Sequence, residues 1–292
     1  MDGVILINKE KGCTSHDVVN KVKHITNEKV GHTGTLDPNA TGLLPLLIGK
    51  GTKLSYYLIN HDKEYKVTLK LGMKTDTADE EGIVIEKQEV DSKILREENI
   101  ENILNSFLGK QMQTPPKYSA IKINGKKLYE YARKNIEVEI KPRQIEIYNI
   151  HLNKVDTKEE QIQFTVQCSK GTYIRSLCED IAKSLGTIGY MKELNRTKVG
   201  IFNIEDSITI KELEKNEDNL TKYLITIEDL FYRIYNEENK ITLNKKQLEL
   251  YLNGVKLSSK NKDGMYGIYD ENYIFIGIGS VQKGLLKREV CI

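Results

Sequence analysis

At 292 residues the chain is long enough to bury one large domain, or one domain with a small appendage. Its formal net charge of +2 does not by itself call for a nucleic acid, and no run of about 18 apolar residues is present to span a membrane. The cysteines Cys13, Cys168, Cys178 and Cys291 form no C-x-x-C pair and Val4–Ile7 lacks the layout of a signal peptide, so reduced thiols in the cytoplasm are expected, not disulfides or zinc.

In chain order, Gly3 to Asn8 reads as a first strand, closed by Lys9-Glu10-Lys11-Gly12. Thr14 with Asp17 three residues on has the form of an N-cap with an acid in the first turn. Val18, Val19, Val22 and Ile25 then hold helical spacing. A Gly-, Thr- and Pro-rich loop around Asp37 leads to the short apolar run Leu43–Ile48. Tyr65, Val67, Leu69 and Leu71 alternate as one face of a strand, and Ile100, Ile103, Leu104 and Phe107 mark a helix from near Glu98 to Leu108, stopped by Gly109. Tyr118–Ile123, the turn Asn124-Gly125 and a helix through Leu128, Tyr131 and Ala132 follow. Strands around Ile145–Leu152 and Ile162–Cys168 lead into a helix carrying Ile174, Leu177, Cys178, Ile181 and Leu185, ended by Gly186.

Strands and helices mix without a βαβ rhythm, so the fold class is α+β. From Asn236 onward the pattern changes: Asn236–Lys240 reads as a linker, and Met265–Tyr269 with Tyr273–Ile278 reads as a hairpin in a small β-rich unit. The expected division is 1–235 and 236–292, the smaller unit docking on the larger.

Asp37 is the first candidate for chemistry. Pro38 disfavours helix at Asp37, and Gly31, Gly34 and Gly42 permit tight turns around it. Such an acid is a nucleophile, a general base, or an ordinary turn residue capping backbone amides. Arg175 is the second candidate. With Thr172 as the expected N-cap it falls in the first helical turn, where the helix dipole disfavours a cation. It either pairs with Glu179 one turn on or has a partner elsewhere. Two tempting motifs fail: Gly49-Lys50-Gly51-Thr52 has Leu44 and Gly51 where a P-loop needs Gly and Ser/Thr, and Asp76, Asp79, Glu80 and Glu81 have Ala78 where a calcium loop needs Asp or Asn. The five histidines, His16, His24, His32, His61 and His151, show no metal-binding spacing, so neither metal nor cofactor is expected.

The loop Gly31-His32-Thr33-Gly34-Thr35-Leu36-Asp37-Pro38-Asn39-Ala40-Thr41-Gly42 closely resembles the catalytic motif of the tRNA pseudouridine-55 synthase family. Further motifs of that family occur in the same order. They are Asn8-Lys9-Glu10-Lys11-Gly12-Cys13-Thr14-Ser15, Lys63–Val67 around Tyr65, Thr75-Asp76-Thr77-Ala78-Asp79, Pro115–Ala120 with Gly125–Arg133, Cys168–Arg175, and Leu194-Asn195-Arg196-Thr197. Glu10 stands where the family usually has proline, and Asn195 where arginine is common.

The resemblance implies a catalytic domain with a mixed, largely antiparallel sheet flanked by helices, followed by a small β domain of the PUA type. It implies Asp37 as nucleophile, Arg175 as its partner, and Tyr65 against the uracil, helping to remove the C5 proton, with no metal or redox group required. It implies that His32 fills the space left by a flipped base and that Leu194 packs beside the pocket. Lys9, Thr77, Asp79, Tyr173, Lys126 and Arg196 fall in matched motifs and are expected at the substrate. From the residues alone, Tyr65 and Leu194 read as core, and His32 as a loop histidine bonded to backbone.

The implied reaction converts uridine 55 in the tRNA T-loop to its C-glycoside isomer, with the tRNA T-arm as partner, no obligatory protein partner and a monomer as default. Two other readings are a non-catalytic tRNA-binding or folding factor and a guide-RNA-dependent synthase of the dyskerin type. Thr33 and the compact C-terminus fit the stand-alone bacterial branch better.

Overall fold

The reciprocal cap expected at the first helix forms. Asp17 N–H donates to Thr14 Oγ1 at 3.1 Å and Thr14 N–H to Asp17 Oδ2 at 2.8 Å, starting the helix Ser15–Thr26. The strand before it, Gly3–Lys9, buries Val4 through Ile7 because both its faces are covered. The computed structural model describes residues 1–58, 61–134 and 136–292.

The main sheet has ten strands among the described residues. Its path runs Leu224–Thr226, Gly3–Lys9, Thr41–Ile48, Gly189–Val199, Lys63–Leu71, Gln161–Cys168, Arg143–Asp156 and Gly109–Gln113, with Val30–His32 and Phe202–Asn203 as side branches. All pairings are antiparallel except one, where Thr41–Ile48 meets Gly189–Val199 in parallel through Asn195 opposite Thr41 and Arg196 opposite Gly42. This short seam lies where the Asp37 loop enters the sheet. Gly42 has φ +105°, and a Cβ there would lie 2.4 Å from the Arg196 carbonyl oxygen and 2.6 Å from its nitrogen. Only glycine fits.

Tyr65, Val67, Leu69 and Leu71 share one buried face of Lys63–Leu71, as their alternation foretold. The helix Ile174–Ser184 lies on that face, adding Ile174, Leu177, Cys178 and Ile181 to the same core. Its N-cap is Tyr173, not Thr172 as expected: the Thr172 hydroxyl is taken up in a local turn, donating to the Ser169 carbonyl at 2.9 Å. Toward the N-terminal end of the sheet, Ser15–Thr26 and Ile210–Lys215 form a second apolar cluster with Ile5, Ile7, Leu44 and Leu46. Helix Glu97–Ser106 ends before Gly109 (φ +90°), and Asn124 (φ 50°) with Gly125 (φ 81°) turns the hairpin Lys122–Ile123/Lys126–Lys127.

A second, five-stranded sheet takes Lys240–Thr242, Gly264–Tyr269, Phe275–Gln282, Leu285–Cys291 and Leu257–Ser258 in that order. The segment expected as a loose linker is stitched to it: Asn239 accepts from Gly267 N–H at 2.8 Å and donates from Nδ2 to the Met265 carbonyl at 3.0 Å. Ile278 and Val290 from this sheet join Val4, Leu6, Leu43, Leu47 and Phe231 in one apolar cluster. The Lys53 ammonium also reaches the Cys291 carbonyl at 2.8 Å. The α+β class is as expected.

Gly42→Ala combines a positive φ with a backbone clash. It should destabilise the chain by about 3 kcal/mol, measured by urea unfolding.

Candidate active site

The Asp37 loop is held by its backbone. Ser15 Oγ accepts from Leu36 N–H at 2.8 Å and meets the Leu36 carbonyl at 3.1 Å, while the Asp37 carbonyl accepts Ala40 N–H at 3.1 Å. Lys9 Nζ donates to the Pro38 carbonyl at 2.9 Å and to the Cys13 carbonyl at 2.7 Å. On the other flank, Arg196 donates from Nε to the Leu43 carbonyl at 2.8 Å and from Nη2 to the Gly34 carbonyl at 3.1 Å. Two buried cations thus grip the carbonyls on either side of the carboxylate.

Lys9 and Arg196 are the two residues expected at the substrate that line the underside of the loop. Each is only 1% exposed, and their donors are occupied by main-chain oxygens of the loop. They shape the site from beneath. Burial, offset in part by nearby acids, holds the Lys9 ammonium below its ordinary range.

Asp37 itself remains open, with 38% of its side chain exposed. Arg175, at 7% exposure, sets Nε 3.2 Å from Asp37 Oδ2 and Nη1 3.4 Å from Asp79 Oδ2. Nη1 also reaches the Thr77 carbonyl at 3.3 Å, and Nη2 the Tyr118 carbonyl at 2.9 Å. All three guanidinium nitrogens are engaged, and the partner is Asp37 with Asp79 in place of the alternative, Glu179. The two carboxylates counter the unfavourable position of a cation in a first helical turn.

Thr77 and Asp79, expected at the substrate, are brought against the arginine. The Thr77 hydroxyl donates to Asp79 Oδ1 at 2.5 Å, and Asp79 Oδ1 also accepts Glu81 N–H at 3.1 Å. Asp76 closes the same loop by accepting Ile83 N–H at 2.8 Å.

Tyr65 is buried beside these groups, within reach of the Arg196 charge. Burial pushes the phenol up to about 12, with the Arg196 charge pulling the other way. It is a neutral phenol at pH 7. Leu194 packs in the same core as Leu36, Ala40 and Tyr65. Tyr173 is half-buried, and Gln113 holds its peptide, accepting Tyr173 N–H at 2.8 Å and donating to its carbonyl at 3.0 Å. His32 is half-buried at the rim, its Nδ1 accepting Gly34 N–H at 3.2 Å. Burial, then the Arg196 charge, holds the His32 imidazolium form below its usual range. Lys126 stands apart from this cluster, exposed on its hairpin.

Ser15, Gln113 and the Tyr118 carbonyl were not singled out by the sequence. Ser15 sits inside a matched motif, which is a usable signal. Gln113 meets Tyr173 across 60 residues, and nothing local marks it.

The fold thus brings together an open carboxylate, a buried arginine on it and a buried tyrosine on the neighbouring strand. Residues 22–174 match the model of the TruB family pseudouridylate synthase N-terminal domain, and 175–232 that of the tRNA pseudouridylate synthase B C-terminal domain. The tRNA pseudouridine synthase B of Clostridium tetani is 46% identical over 290 residues, covering 97% of this chain and 96% of that protein. That of Aquifex aeolicus is 42% identical over 289 residues, covering 98% of each. A solved Cbf5–Nop10–Gar1 complex contains a chain with TM-score 0.66 and 25% identity, covering 98% of this chain and 83% of that one. The chain belongs to the TruB family of pseudouridylate synthases.

Because folded His32 resists protonation, the unfolded chain takes up a proton first as pH falls below about 6.5. That contribution to stability is present above about pH 6.5 and lost below it. Urea unfolding at pH 7.5 and pH 5.5 should therefore show a smaller acid loss for His32→Gln than for the wild type.

Proposed function

We propose that this chain isomerises uridine 55 to pseudouridine in the T-loop of tRNA, with Asp37 as the nucleophile. The observation that carries the reading is the open Asp37 carboxylate held by the buried Arg175 at 3.2 Å. A carboxylate that faces solvent on one side and a fixed guanidinium on the other is oriented and electrostatically supported, yet free to attack.

Asp37 attacks either the ribose C1′ or the uracil C6, and the N1–C1′ bond breaks. The detached uracil turns and bonds through C5 to C1′. C5 then loses its proton and N1 gains one, so the product is an isomer of the substrate. Tyr65 lies against the uracil. As a phenol near neutrality it does not stand ready as a base. In the C1′ route Asp37 is free again once C5 has bonded, and its carboxylate takes the C5 proton with Tyr65 beside it.

The target uridine lies inside a folded loop and must be flipped out, at a cost of a few kcal/mol. His32, on the rim, is assigned to the vacated space, and Leu194 excludes water from the pocket. Tyr173 and Lys126 are assigned to the RNA, recognised by the shape of its loop more than by long sequence readout. Residues 1–235 are read as the catalytic domain and 236–292 as a PUA-like RNA-binding domain, in a cytoplasmic monomer that needs no protein partner. The similar solved chains sit in complexes named for Nop10 and Gar1. The 42–46% identity to proteins named tRNA pseudouridine synthase B supports the stand-alone reading over a guide-dependent one.

Purified protein and a bare tRNA transcript test this. Modification mapped to uridine 55 alone is expected; modification only with added guide RNA and proteins would contradict it. Arg175→Lys keeps the charge but loses the planar fork that spans Asp37, Asp79 and two carbonyls. Its single-turnover rate should fall by about 100-fold or more, whereas near-normal turnover would remove the pair from the mechanism.

A further inference from the structure

Arg175 lies in the first turn of a helix that begins without a side-chain cap of its own. Its N-cap residue, Tyr173, has extended backbone (φ −98°, ψ 110°) and contributes no capping side chain. The support comes from the far edge of the sheet. Gln113 ends the strand Gly109–Gln113 and turns its carboxamide onto the Tyr173 peptide, Oε1 accepting the N–H at 2.8 Å and Nε2 donating to the carbonyl at 3.0 Å. A carboxamide meets a donor and an acceptor at once, as a neighbouring strand would. Gln113 is 4% exposed, so its removal leaves these groups without a ready replacement in water.

The residues after Gln113 continue the same support. The Thr114 carbonyl accepts from Ser176 Oγ at 2.9 Å, and the Tyr118 carbonyl accepts from Arg175 Nη2 at 2.9 Å. One stretch of chain therefore holds the helix on both sides of Arg175 and the guanidinium itself.

We propose that Gln113 is a positioning residue for the isomerisation: it fixes the entry of the Arg175 helix so that Nε meets Asp37. It acts through Arg175 and touches no substrate. The inference rests on reading Asp37 and Arg175 as the reacting pair. A displacement of about 1 Å at such a pair is enough to slow chemistry on the order of 100-fold.

The test uses the full chain with Gln113→Leu, which fills similar space and makes neither bond, and Gln113→Glu, which keeps an acceptor for Tyr173 N–H. Three quantities are read: single-turnover isomerisation of a tRNA transcript, tRNA Kd, and the Arg175 Nε–H signal in proton–nitrogen spectra, assigned by its loss in Arg175→Lys. Gln113→Leu should be slower by about 10- to 100-fold with Kd changed less than about threefold, and its Nε–H signal should shift or exchange faster with water. Gln113→Glu should recover part of both. An unchanged Nε–H signal in Gln113→Leu, or a loss carried wholly by weaker tRNA binding, would overturn the proposal. An inactive wild type would instead sink the functional reading, and the Nε–H signal would still decide whether Gln113 places the arginine.

Discussion

The site depends on one buried guanidinium shared between two carboxylates. Arg175 occupies a helix start, where the dipole opposes a cation, and is almost fully withdrawn from water. Both penalties are offset only because Asp37, Asp79 and the carbonyls of Thr77 and Tyr118 surround it. Asp79 carries the structural half of the charge balance, being largely covered, and Asp37 the exposed half. The arginine can thus hold the nucleophile without hiding it.

The loop that presents Asp37 is kept in place by a different device. Lys9 and Arg196 donate to its carbonyls from opposite flanks, and Ser15 satisfies both peptide groups of Leu36. A Gly-rich loop has much backbone freedom to lose on folding. Fixing it through charged donors on main-chain oxygens leaves the one acidic side chain free of competing bonds from beneath. The same Arg196 charge acts on the buried Tyr65 phenol.

Much of this was legible in the sequence where the signal is local. The Thr14–Asp17 cap, the Tyr65–Leu71 alternation and the Asn124-Gly125 turn each depend on residues a few positions apart, and each forms. Motif order carried Asp37 and Arg175, which the fold brings together from 138 positions apart in the numbering. Lys9 and Arg196 fall in matched motifs, but that their donors grip loop carbonyls leaves no mark in a sequence. The Tyr173 cap was missed for a related reason, since Gln113 reaches it from another strand and Thr172, the better local capper, turns back on Ser169. The Asn236–Lys240 segment has the composition of a linker, yet its backbone is paired to the second sheet.

The most direct measurement is tritium release from tRNA transcript labelled at uridine C5, comparing the wild type with Asp37→Asn, each at matched tRNA binding. The amide keeps the shape of the side chain and removes its charge and nucleophilicity. Release by the wild type alone, from the T-loop uridine, is the predicted result. Equal release by both proteins would take Asp37 out of the mechanism, and with it the role given to Arg175.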